Sequence, residues 1–194
     1  MTPGNTIIYL IGFAGTGKYT IACELAKMTG AKLVDNHLIN NPIFSVIEQD
    51  GKTKLPLSVW NETAKIRKAV LHAIRTISPP HYSFVFTNEL YQDDPDDLRI
   101  YRQIARLASA RDAAFFPIRL LCNAAELHRR KSTPDRRAHF KEIDVSTIEW
   151  LLTHHEVLKI NHPNLLTLDV SDITAEQSAG KILAHVRKSC PLKY

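Results

Sequence analysis

Three of the chain's seven glycines fall within six residues, in the string Gly12-Phe13-Ala14-Gly15-Thr16-Gly17-Lys18. An apolar run, Thr6 to Ile11, precedes it, and Ile21, Leu25 and Met28 follow at helical spacing. A strand, a glycine loop and a helix in that order wrap the backbone so that successive N–H groups point inward. The helix N-terminus adds partial positive charge, and Lys18 supplies a full one. The string therefore predicts a cradle for the phosphates of a nucleoside triphosphate, built from Gly12, Ala14, Gly15, Thr16, Gly17, Lys18, Tyr19 and Thr20.

One position departs from this pattern. The residue after the lysine is ordinarily Ser or Thr, whose hydroxyl holds Mg²⁺. Here it is Tyr19, and Thr20 follows. A tyrosine hydroxyl lies too far from its own backbone to take that place. Three alternatives stand: Mg²⁺ is held through water and other carboxylates, Thr20 takes partial service, or turnover is weakened or lost.

The rest of the chain alternates short apolar runs with helical patterns, the signature of an α/β fold with a parallel sheet. The predicted strands are 6–11, 32–34, 83–87, 115–121 and 165–170, rich in Ile, Val, Phe and Leu as strands covered on both faces should be. The helices carry start and stop signals: Asp94-Pro95, the pairs Asn123/Glu126 and Thr174/Gln177, and Gly30. Ile66, Val70, Ile74 and Ile77 mark the apolar face of a helix that ends before Pro79-Pro80. The expected architecture is three layers: a five-stranded parallel sheet flanked by helices, with two excursions. One, within 36–78, is mixed and includes an expected turn at Asp50-Gly51; the other, 124–141, is strongly basic.

Length and composition narrow the class. The 194 residues suit one domain, 1–194. The net charge of +5 suits an anionic small ligand and is too mild to predict a nucleic-acid partner. The apolar run at 7–13 is far shorter than a membrane span and has no Lys or Arg before it, so no membrane partner or secretory signal is expected. Cys23, Cys122 and Cys190 are scattered, as reduced thiols of a cytoplasmic protein would be. Monomer and homodimer are both compatible with these observations.

With the loop in place, the chain resembles the P-loop kinases of the nucleoside-monophosphate, shikimate and gluconate kinase type. Two further stretches carry the resemblance. Lys32-Leu-Val-Asp35-Asn-His37 is similar to the Asp-x-Asp found at the end of the second strand in such kinases, with His37 in place of the second Asp. The resemblance implies that Asp35 receives the acceptor's hydroxyl proton, with His37 as a substrate contact; read alone, an Asp there is also an ordinary turn former. Leu127 to Phe140 looks like the mobile lid of these enzymes, and Arg136 with His139-Phe140 is similar to the Arg-x-x-His-Phe of gluconate kinases. Six of the chain's 25 Lys and Arg lie between Arg129 and Lys141. The resemblance implies that Arg130, Arg136 and Arg137 stabilise the charge of the transferring phosphoryl group. A solvated basic helix is the alternative.

Glu89, just past the third strand, stands where an acid can hold Mg²⁺ or contact substrate; with Thr20 it completes the candidate metal set. Phe44 and Trp60 read as core or as a wall of an acceptor pocket. His154-His155-Glu156 lacks the second histidine of a zinc helix. Asp93 to Asp97 reads as helix-start chemistry. Taken together, the sequence predicts an ATP- and Mg²⁺-dependent kinase acting on a hydroxyl of a small molecule. The alternative is a non-catalytic or slow nucleotide-binding regulator, for which Tyr19 speaks.

Overall fold

Every residue of strand β1 (Thr6–Ile11) is buried, with Ile8 and Leu10 packed into one hydrophobic cluster and Ile7, Tyr9 and Ile11 into another. That alternation places β1 at the centre of a sheet with apolar layers on both faces. The computed structural model describes residues 4–48, 53, 55–131 and 148–189. Around β1 stand β2 (Lys32–Asp35), β3 (Phe84–Asn88), β4 (Ala114–Leu121) and β5 (Leu166–Asp169), in the spatial order β2-β3-β1-β4-β5. All pairings are parallel. Each observed strand falls within a residue or two of its expected span.

Helices α1 (Lys18–Thr29), α2 (Asn36–Phe44), α3 (Leu57–Thr76), α4 (Pro95–Ala110), α5 (Ala124–Lys131), α6 (Ile148–His154) and α7 (Ala175–Ser189) complete the described elements. Side chains of α1 and α7 fill the cluster on one face; those of α3 and α4 fill the other. The expected caps form. Asp94 accepts from the amide of Asp96, Asn123 from Glu126, and Thr174 and Gln177 bond each other's backbone N–H reciprocally. No described helix is long and apolar enough to cross a membrane.

The excursion after β2 is a helix, α2, packed on α3, with Phe44 buried edge-to-face against a half-exposed Trp60. The expected turn at Asp50-Gly51 lies outside the described residues. Of the expected apolar face of α3, Ile74 and Val70 pack into the core, whereas Ile77 lies past the helix end and is 77% exposed; Arg67, 8% exposed, joins the inner face with Val59, Thr63 and Ile74. Arg111 secures the end of this helix. Its guanidinium donates to the carbonyls of Ile74, Ser78, Pro79, Pro80 and Tyr82 and lies over the Phe84 ring.

Candidate functional site

The carboxyl ends of parallel strands are where ligands bind in such sheets, and the predicted residues of the first three strands meet there. The loop after β1 has the conformation its glycines allow. Gly15 and Gly17 have φ of 94° and 84°, values that side chains rarely adopt. At Gly12 a Cβ would stand 3.0 Å from the Leu120 carbonyl oxygen, so only glycine lets the loop lie this close to β4. No side chain caps α1, which leaves its positive end facing the loop. Lys18 folds back over the loop, donating to the carbonyls of Gly12 and Phe13 at 2.8 Å each. Thr16 is fully buried and donates its hydroxyl to the Phe13 carbonyl, so its side chain is used within the loop. Tyr19 is 44% exposed, and Thr20 beside it is exposed as well.

Asp35 takes the turn-forming place that its sequence context allows. It caps α2 by accepting from the His37 amide at 3.0 Å, and it also accepts from the Thr87 hydroxyl at the end of β3. Burial alone would raise its pKa, but the hydrogen bonds from His37 and Thr87 outweigh this and hold it below the ordinary value. The carboxylate is therefore kept ionised. The network runs on: Thr87 accepts from the Asn36 amide, the Asn36 side chain from Asn88, and Asn88 from the Tyr9 hydroxyl. The His37 ring lies 3.4 Å from Asp35, 36% exposed.

Glu89 reaches the glycine loop itself. Its Oε1 accepts from the Ala14 amide at 2.8 Å and from the Tyr91 hydroxyl at 2.9 Å. Among the described residues no group of three or more His, Cys, Asp or Glu side chains forms a metal cage. Mg²⁺ commonly takes one or two carboxylates and draws its other ligands from phosphate and water. A single carboxylate at the donor loop fits that habit; the exposed Thr20 adds nothing visible to it.

Of the arginines expected in a lid, Arg136 and Arg137 lie outside the described residues. Arg130, on α5, donates to the carbonyls of Thr16 (3.0 Å) and Val170 (2.8 Å) and to Glu126 (2.6 Å), which sets it against the phosphate loop. His155 pairs with Asp93 at 2.9 Å, in place of any metal role.

Two charged side chains are buried or half-buried near Tyr9 and Tyr91 without a sequence motif to announce them. Arg67 is buried, forms no ion pair among the described residues, and its Nε has no hydrogen-bond partner. Tyr9 and Asp97 are the groups that act on it electrostatically. Asp97, expected to serve only the start of α4, accepts from the Tyr91 amide at 2.7 Å. Burial, with Asp94 and Glu89 nearby, pushes its pKa up to about 6.

Asp97 yields a pH prediction. The folded state holds its proton more tightly than the unfolded state, so its contribution to stability is fullest below about pH 4 and is lost as pH rises through about 6. The ceiling of about 3 kcal/mol is cut to about 1 by partial exposure. Asp97→Asn is expected to be more stable than wild type at pH 7.5 by about 1 kcal/mol, with the gap closing below pH 4. Urea unfolding at the two pH values measures it.

The sheet order and the glycine loop between β1 and α1 give this chain the fold of the P-loop small-molecule kinases. No family model and no curated protein matches the chain. Solved structures do. A protein of Chloroflexus aurantiacus j-10-fl described as a candidate kinase aligns over 97% of this chain and 98% of its own, at 18% identity and TM-score 0.66. A gluconokinase from Sinorhizobium meliloti 1021 aligns over 96% and 94%, at 13% identity and TM-score 0.58. A shikimate kinase from Acinetobacter baumannii, solved with shikimate, aligns over 97% and 96%, at 17% identity and TM-score 0.54. At such identities the likeness speaks for the fold.

Proposed function

We propose that this chain is an ATP-dependent kinase that transfers the γ-phosphoryl group to a hydroxyl of a small acceptor carrying an acidic group. The carrying observation is that Glu89 sits 2.8 Å from the Ala14 amide, so a carboxylate from the end of β3 meets the donor loop. Lys18 and the loop amides bind and orient the triphosphate. Glu89 would hold Mg²⁺, directly or through water; when bound, the metal neutralises charge on the phosphates. Asp35, kept ionised, orients the acceptor hydroxyl and takes its proton, with His37 beside it. Transfer through a loose transition state needs positioning and charge more than a strong base.

Arg67 supports an acidic acceptor. A buried guanidinium without a carboxylate partner is costly unless a ligand supplies the anion. Segment 36–78 is the acceptor-binding excursion in this reading and 124–141 the lid, with Arg130, Arg136 and Arg137 closing on the phosphates. The chain is read as one domain of a cytoplasmic enzyme, monomeric or homodimeric, with no nucleic-acid or membrane partner.

The exposed Tyr19 favours one other reading, a nucleotide-binding regulator with slow or no turnover. Labelled ATP and Mg²⁺ against sugar acids, sugar phosphates, neutral sugars, nucleosides and antibiotics separates the two. Transfer to acidic acceptors is expected, with neutral analogues at least about 100-fold poorer. Tight ATP binding with transfer to no compound would establish the regulator instead.

A further inference from the structure

Tyr91 follows Glu89 by two residues, in a loop that carries no motif. The intervening Leu90 is fully buried, which anchors the loop between them. The Tyr91 hydroxyl donates to Oε1 of Glu89, the same oxygen that accepts from the Ala14 amide of the phosphate loop. Glu89 Oε2 takes no hydrogen bond from a described residue. One oxygen is thus pinned from two sides, while the other is left for a metal or its water.

Tyr91 is itself held on every side. Its amide donates to Asp97 at 2.7 Å. Its ring packs against Phe13 of the phosphate loop at 5.7 Å and against His155 at 4.9 Å, and His155 is fixed by Asp93. Its backbone bridges Val157 in antiparallel fashion, flanked by bonds from Gln92 to Glu156 and from Leu158 to Leu90. These contacts join three separate parts of the chain: the phosphate loop, the β3–α4 loop and the segment that follows α6. A glutamate has three side-chain torsions and loses much entropy when fixed. Here the surroundings have already selected one arrangement.

We infer that Tyr91 is a positioning residue that holds the Glu89 carboxylate on the donor loop in the orientation that serves Mg²⁺. This rests on the reading of Glu89 given under the proposed function. Such partners of a metal-serving carboxylate ordinarily matter by about 10- to 100-fold in metal affinity.

A double-mutant cycle tests it without any acceptor. Wild type, Tyr91→Phe, Glu89→Gln and the double variant are titrated with a fluorescent ATP analogue, in EDTA and in Mg²⁺. Tyr91→Phe keeps the ring packing, so affinity in EDTA should stay within about twofold while the gain produced by Mg²⁺ falls about 10-fold. Glu89→Gln should remove that gain, and adding Tyr91→Phe to it should change nothing more. The inference is overturned if Tyr91→Phe keeps the full Mg²⁺ gain, or loses affinity equally with and without Mg²⁺. Additive losses in the double variant also overturn it. If Glu89→Gln keeps the full gain, the inference falls, whereas the kinase reading is decided separately by transfer from labelled ATP.

Discussion

Arg67→Met should make the protein more stable and far less able to phosphorylate its acceptor. Arg67 is 8% exposed, its buried Nε is unpartnered, and burial holds its pKa below the ordinary arginine value. Desolvating a charge costs several kcal/mol, and Asp97 acts on it without closing an ion pair. Methionine fills similar volume with no such penalty, so a gain of about 1–4 kcal/mol in unfolding free energy is expected. Removing one partner of a buried charge-assisted contact with the acceptor costs about 2–5 kcal/mol, or roughly 10²- to 10³-fold in kcat/KM. Denaturant unfolding and acceptor kinetics on the same preparation read the two signs together. A variant that is less stable yet turns over acceptor normally would make Arg67 a structural residue and remove the argument for an acidic acceptor.

Lys18→Met should lower phosphoryl transfer by about 10³-fold, since in the proposed reading its ammonium supplies the full positive charge for the phosphates. It also ties the loop together by bonding the Gly12 and Phe13 carbonyls. ATP affinity should fall with the transfer rate, while the thermal midpoint stays near that of wild type. The last point follows from the location of Lys18 at the rim of the core, outside both hydrophobic clusters. Unchanged ATP affinity, read by calorimetry, would show that this loop does not carry the phosphates, and the nucleotide reading would be lost with it.

The two substitutions differ in how visible their targets are before folding. Lys18 announces itself because the glycine loop is a local device: its strand, glycines, lysine and helix are contiguous in sequence. The helix caps at Asp94, Asn123 and Thr174 were legible for the same reason, since each bond spans two or three residues. Arg67 was not. The pattern Ile66, Val70, Ile74, Ile77 found Val70 and Ile74, which pack in the core cluster, but Ile77 stands past the end of α3 in solvent, and the inner face also takes Arg67.

What the sequence determined by itself was therefore the glycine loop and its setting: strand, loop, lysine and the run of α/β elements, all encoded in short-range order. The side chains that meet around that loop from other strands were placed by tertiary structure. The contact of Glu89 with Ala14 spans 75 residues, and that of Asp35 with Thr87 spans 52. Such pairs meet only because β2, β3 and β1 lie side by side in a parallel sheet, an order that no local pattern contains. Asp97 illustrates the same division: a helix-start residue by sequence, it becomes a carboxyl with a pKa of about 6 once the fold buries it among other acids. The physical reason is that burial and long-range Coulomb interactions exist only after the chain has closed on itself.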